Sequence, residues 1–188
     1  LYKNNSNSRI KYRNKPKIIA GNVATPEAVR DLADWGADAI KIGLSMGKSC
    51  TTYNATGVGS PMFSASLACN DAAKEKNIPI ISDGGIRNLG DIAKALLTGS
   101  SFVMVGSLIA ACTDSSAETI KRYRKTGFCD ANGVEEIEPI YLKHFYGSAS
   151  ARNKGYDLYV EGRDVFLECN GLTVSNWYSK SKQAIQSS

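Results

Sequence analysis

The side chain best suited to chemistry in this sequence is the thiol of Cys50. It lies in GLSMGKSCTT, with small residues before it, hydroxyls after it and Lys48 two positions away, and a nearby cation favours the nucleophilic thiolate. Cysteine is also a small buried hydrophobe, and Cys69, on the apolar side of an expected helix, fits that plainer role. Asp83-Gly84-Gly85 offers a carboxylate that can accept both hydroxyls of a ribose diol, then backbone N–H groups with no Cβ to obstruct a phosphate. Gly106-Ser107 offers a second such cradle. Asp-Gly-Gly also makes ordinary tight turns, so either motif alone is unspecific; at neighbouring strands the two together point to a phosphate site. The single histidine, His144, is expected at the surface, and no metal site or Ser-His-Asp constellation can be built around it. Glu161, in VEGR, reads as a solvated acid in a turn between strands.

The elements that must position these groups follow a βα rhythm. Residues 17–23 (KIIAGNV) read as a buried strand ending in a turn, after which Thr25 is a good N-cap with Pro26 at the first helical position, and Gly36 ends the helix. The unit recurs as strand 39–44, a Gly/Ser/Thr loop, helix 64–76, strand 78–82, helix 88–97 and strand 102–106. Apolar strands alternating with helices define an α/β fold with a parallel sheet, either doubly wound or a (β/α) barrel. The special residues crowd the carboxyl ends of the strands, where barrel active sites are built, and Asp-Gly-Gly and Gly-Ser match the phosphate loops after the seventh and eighth strands. The reading is therefore the second half, strands five to eight, of a (β/α)8 TIM barrel. One domain over 1–188 is expected: a polar lead-in (1–16), the βα units (17–112), an insertion and flap (113–172) and a closing helix (173–188). Residues 140–146 and 165–169 are expected to pair as an antiparallel excursion, 119–139 is the least legible stretch, and Arg122-Tyr123 reads as surface helix.

Composition limits the function classes. With 188 residues, 43% hydrophobic and 22% charged, the chain should bury a core, and no apolar run approaches the roughly 18 residues of a membrane helix. Of the +5 net charge, six cations fall within the first 17 residues without an acid, and the rest carries 17 basic against 18 acidic groups. A nucleic-acid groove is not implied, and neither a nucleic acid nor a membrane is expected as a partner. Five widely spaced cysteines suit neither a disulfide framework nor a zinc ribbon, so a reducing, cytoplasmic compartment is expected. The start lacks the apolar stretch of a signal peptide and has no methionine, which suits a piece of a longer chain.

The motifs AGNVATPEAV, GADAIKIGLSMGKSCTT, IISDGGIRNLGDIAKAL and FVMVGSLIAA, over residues 18–112, resemble the IMP dehydrogenase and GMP reductase family in order and spacing. The tail resembles it more loosely through FYGSAS, VEGR and the last helix. The resemblance implies a purine nucleotide (GMP or IMP) attached at C2 to Cys50, with hydride exchanged with a nicotinamide cofactor. It implies that Asp83 holds the ribose, that Gly84, Gly85, Gly106, Ser107 and Lys48 hold the phosphate side, and that Gly147, Ser148, Ala149 and Gly162 also line the nucleotide. Leu44, Ser45 and Ser148 would touch the cofactor, and backbone oxygens of Ser45, Gly47 and Cys50 would take a monovalent cation such as K+. A homotetramer is implied for the full-length protein.

Three features resemble the reductase branch: Glu161-Gly162 where the dehydrogenases have Gln-Gly, the run TTYNATGVG after Cys50, and only ten residues between Ser150 and Glu161, too few for the dehydrogenase flap. That branch implies NADPH-dependent reductive deamination of GMP to IMP and ammonia, with Glu161 and Thr52 delivering the proton that makes ammonia a leaving group. An acid in that role needs a raised pKa, so Glu161 is expected to be partly desolvated. Met46 departs from the proline common in the cysteine loop, and 121–139 is longer than the usual link. Much of the family's cofactor grip lies in segments this chain lacks, which leaves open whether the chain alone turns over. IMP dehydrogenase and a non-catalytic nucleotide-binding remnant are the alternatives.

Overall fold

The computed structural model describes residues 16–155, 157 and 161–187, so all of the 1–16 lead-in but Pro16, and the final Ser188, lie outside the described residues. The chain divides into two units: one comprises the residues up to Lys48 together with Thr52–Val105, the other Ser49–Thr51 with Gly106–Ser188.

In the first unit, β1 (Ile19–Val23), β2 (Ala39–Ile42), β3 (Ile80–Asp83) and β4 (Phe102–Met104) form one sheet in chain order. All three pairings are parallel, with Ile40 opposite Ile80 and Ile81 opposite Phe102. The connections are α1 (Pro26–Asp34), α2 (Thr52–Thr56) with α3 (Met62–Glu75), and α4 (Leu89–Leu97). Among the described residues the sheet is open. The helices start where the sequence supplies caps: Thr25 Oγ1 accepts from Ala28 N, and Asn88 Oδ1 accepts from Asp91 N at 3.0 Å. The core lies between sheet and helices, where Ile40, Ile42 and Ile80 meet Val29 of α1 and the small residues Ala65, Cys69, Ala72 and Ala73 of α3. Their spacing puts them on one face of α3 and lets that helix approach the sheet closely.

A chain of hydroxyls runs through the same core. Ser66 Oγ on α3 lies 2.6 Å from Ser82 Oγ on β3, which lies 2.7 Å from Ser100 Oγ, and all three serines are buried. These groups are affordable inside only because each finds a partner.

In the second unit, β5 (Thr119–Cys129), β6 (Glu135–Phe145) and β7 (Val165–Glu168) form an antiparallel sheet in that order, with α5 (Ser107–Ala110), α6 (Ala151–Lys154) and α7 (Val174–Gln186). The expected pairing of the 140s with the 160s is present, with Leu142 opposite Glu168 and Phe145 opposite Val165. The closing helix is present too, capped by Thr173, whose hydroxyl accepts from Asn176 N. The stretch that resisted reading, 119–139, is a long hairpin whose turn is held by Asp130: its Oδ1 accepts from Asn132 N at 2.8 Å and Val134 N at 2.9 Å. Arg122 and Tyr123 therefore lie in a strand rather than on the expected surface helix. The strands are fastened across by ion pairs: Arg124 reaches Glu138 at 2.7 Å and Glu168 at 3.1 Å, and Lys125 reaches Glu135 at 2.6 Å. Lys143 is only 2% exposed, and its ammonium donates to the carbonyls of Thr113 (2.9 Å), Ala117 (3.3 Å) and Ser115 (3.4 Å).

Ser82→Ala should cost about 1–3 kcal/mol in urea unfolding, because it strips a partner from two buried hydroxyls at once. A loss confined to the few tenths expected at an exposed serine would mean that the hydroxyl chain does not contribute.

Candidate functional site

Within the first unit, Asp83 ends β3 with its carboxylate already oriented. Its Oδ2 takes a 2.9 Å ion pair from Lys41 Nζ and a 2.9 Å hydrogen bond from Asn22 Nδ2, which also reaches Gly43 O at 2.8 Å. Asn22 and Lys41 come from the ends of β1 and β2, so three neighbouring strands converge on one carboxylate. The sequence marks Gly21-Asn22 as a polar strand end without giving Asn22 a role, and Lys41 was passed over; its available signal was a lysine between two isoleucines, Ile40 and Ile42, that are fully buried.

The loop after β2 packs on the loop after β3. Gly85 N donates to Met46 O at 2.9 Å, and a Cβ on Gly84, whose φ is +87°, would sit 3.2 Å from Gly47 N. A side chain at residue 84 would both strain the backbone and push these loops apart. Leu44 bridges to Ser60, and Ser45 Oγ donates to Val58 O at 2.6 Å. Lys48 is exposed, and Thr52 opens α2. The turn beyond Gly85 is fixed by a reciprocal cap on α4: Asp91 Oδ2 accepts from Arg87 N at 2.9 Å while Asp91 N donates to Asn88 Oδ1. That amide, aided by the Arg87 charge, holds the buried Asp91 carboxyl below its ordinary value.

Within the second unit, Cys50 and Glu161 meet although 111 residues separate them: Sγ lies 3.7 Å from Oε1. Three successive amides fasten the acid's segment. Glu161 N donates to Ala149 O at 2.9 Å, Gly162 N to Thr51 Oγ1 at 2.8 Å, and Arg163 N to Ser49 O at 2.8 Å. Gly162 has φ +103°, and a Cβ there would sit 3.3 Å from Ser49 O. Gly147 comes equally close, its Cβ position lying 3.4 Å from Ser49 Oγ. Ser148 is exposed, and its carbonyl accepts from Asn153 Nδ2 at 2.7 Å. Gly106 and Ser107 open the short α5.

Two expectations are corrected here. His144 is not at the surface: it is 4% exposed, stacked on Phe166, with Nε2 2.8 Å from Asp164 Oδ2 and Nδ1 3.7 Å from Glu118 Oε2. The β6–β7 pairing covers it, and Asp164 follows directly on the fastened segment. Glu161 is exposed rather than partly desolvated. Cys69 behaves as the inert structural thiol expected, fully buried, with desolvation pushing its pKa up to about 11. Among the described residues, no group of three or more His, Cys, Asp or Glu side chains could hold a metal ion, and no helix is long and apolar enough to cross a membrane.

The first unit is a parallel α/β sheet with polar loops at its strand ends, and the second sets a thiol against a carboxylate on a glycine-jointed strap. The chain belongs to the IMP dehydrogenase / GMP reductase family, whose domain model matches residues 3–159. It is 40% identical over 182 residues to the GMP reductase of Mesoplasma florum, covering 96% of this chain and 51% of that protein. It is 42% identical over 171 residues to the GMP reductase of Staphylococcus saprophyticus, covering 91% and 47%. It is 44% identical over 154 residues to the inosine-5'-monophosphate dehydrogenase of Chlorobaculum tepidum, covering 78% and 31%. The chain thus spans about half the length of the reductases it matches.

The Asp91 cap gives a pH prediction. A carboxyl with a depressed folded-state pKa adds stability that is complete above the ordinary carboxylate range and is lost as pH falls. Asp91→Asn should cost about 1 kcal/mol at neutral pH, and the gap to the parent in urea unfolding should close as pH drops below about 4.

Proposed function

We propose that this chain carries the cysteine-bearing half of a GMP reductase, which converts GMP to IMP and ammonia at the expense of NADPH. The observation that carries the reading is the 3.7 Å approach of Glu161 Oε1 to Cys50 Sγ on a strap too short for a dehydrogenase flap. The names of the reductases that align along nearly the whole chain support it. The open sheet of the first unit would be strands five to eight of a (β/α)8 barrel, with 17–112 supplying the βα units, 113–172 the insertion and flap, and 173–188 the closing helix. A homotetramer in the cytoplasm completes the reading.

In this mechanism the Cys50 thiolate adds to C2 of the guanine, forming a C–S bond. Glu161, in its protonated form and with the Thr52 hydroxyl, passes a proton to the 2-amino group, so that the C–N bond breaks and nitrogen departs as ammonia. A bound purine lying over Glu161 would supply the desolvation that its exposed position lacks. A bound reduced nicotinamide would supply hydride at C2, and Cys50 would leave C2 as the regenerated thiolate. Asp83, held by Lys41 and Asn22, would take the ribose hydroxyls. Gly84, Gly85, Gly106, Ser107 and Lys48 would take the phosphate, with Gly147, Ser148, Ala149 and Gly162 along the base.

Of the residues proposed for the cofactor, Leu44 is half-buried and apolar, Ser148 is an exposed hydroxyl, and the Ser45 hydroxyl is committed to Val58 O. By the family resemblance, a monovalent cation such as K+ would be held by the backbone carbonyls of Ser45, Gly47 and Cys50.

The protein carrying this chain should oxidise NADPH with GMP and release IMP, followed by nicotinamide absorbance and chromatography of the nucleotides. Cys50→Ala should lower turnover at least about a thousandfold, and Glu161→Gln about a hundredfold or more. Formation of XMP from IMP and NAD would instead place the chain with the dehydrogenases, and GMP binding without adduct or NADPH loss would make it a binding remnant.

A further inference from the structure

The acid of the proposed reaction, Glu161, is placed by its backbone more than by its side chain. Glu161 is exposed, and its side chain meets the thiol across a gap that a small backbone shift would open. What sets its position is the backbone on either side. Upstream its own amide is tied to Ala149 O, and downstream the next amide, Gly162 N, is tied to a side chain, the hydroxyl of Thr51. Gly162 is also the joint of the segment: without a Cβ it reaches its positive φ freely, so loss of its own tie would loosen the acid between the flanking ties of Glu161 N to Ala149 O and Arg163 N to Ser49 O. Among the described residues, the Thr51 hydroxyl is the side chain that accepts from this joint, and it stands directly after the nucleophile in the chain.

We infer that Thr51 is a positioning residue: by accepting the Gly162 amide it holds the Glu161 carboxylate against the Cys50 sulfur. The inference rests on the proposed roles of Cys50 and Glu161, but the arrangement it describes can be read without turnover. Removal of the acceptor leaves a half-buried amide without its partner and loosens the glycine joint between the two backbone ties that flank it. Serine keeps the hydroxyl, valine keeps the shape and discards it.

The test compares alkylation of Cys50 by neutral iodoacetamide and anionic iodoacetate, read by peptide mass spectrometry. The same thiolate attacks both reagents, so its abundance cancels from the rate ratio, which reports the charge standing beside the sulfur. The parent chain and Thr51→Ser should share a high neutral-to-anionic ratio. Glu161→Gln should lower it by about three- to fivefold, the scale of one charge at this distance in a wet site. Thr51→Val should fall to the value of Glu161→Gln although its glutamate is intact. Buried Cys69 and Cys112 serve as the fold control, since both should stay protected in every variant. If they become labelled in Thr51→Val, Thr51→Ala removes the same acceptor without the bulk and is read in its place.

A Thr51→Val ratio equal to the parent's, while Glu161→Gln is lowered, overturns the inference, and so does a Glu161→Gln ratio that does not move. Turnover is a separate arm: with GMP and NADPH, Thr51→Val should lose kcat at least tenfold with little change in KM for GMP, and Thr51→Ser should restore it. A full-length protein carrying this chain that shows the expected ratios but consumes no NADPH would end the reductase reading and leave the Thr51 assignment standing.

Discussion

The site depends on three consecutive amide hydrogen bonds. A sulfur and a carboxylate carried on segments 111 residues apart have no local reason to meet, and the amides of Glu161, Gly162 and Arg163 supply it by spending their donors on Ala149 O, Thr51 Oγ1 and Ser49 O. Such bonds are individually worth about a kilocalorie per mole net. Their value here is geometric, because three in a row define a line rather than a point, and the glycine in the middle lets that line pass close over the Ser49 carbonyl. His144 continues the same logic one residue further along, gripping Asp164 where β7 is about to begin.

In the first unit the recurring device is a polar group placed where sheet geometry guarantees it a partner. Asp83 receives a cation and an amide from the two strands beside it, and Ser82, one residue earlier on the opposite face, receives hydroxyls from helix and loop. Alternation along a strand thus sends adjacent polar residues to different tasks, Ser82 into the packing beneath the helices and Asp83 toward the loop ends.

What the sequence disclosed follows the range of the forces involved. The βα rhythm was legible because its punctuation is local: Thr25-Pro26 and Asn88 start helices whatever the rest of the chain does. The β5–β6 hairpin was not, since KRYRKTG and EEIEP carry almost no apolar alternation, and the strands are fastened by Arg124 and Lys125 to acids that only pairing brings near. The Asp130–Gly133 turn was the one local sign of it. His144 was misplaced for the same reason, its burial being the work of Phe166 and Asp164 some twenty residues on. Cys50 and Asp83 were singled out from residue type and strand-end position alone, whereas Glu161 took its meaning from family resemblance, no spacing rule joining it to the thiol. Asn22 was legible only as part of a polar strand end, and Lys41 went unseen because a lysine in a strand reads as a solvent-facing residue until its counter-charge is located.

Lys143 shows what such internal pairing means for the medium in which the protein works. Its ammonium sits among the carbonyls of Thr113, Ser115 and Ala117 much as a dissolved alkali ion would. Because it is tethered through its own carbon chain, it has no off-rate and no competitor. Potassium depletion, a switch to sodium or a desalting step would leave that corner unaltered, so any ionic dependence of the protein has to originate elsewhere in the fold.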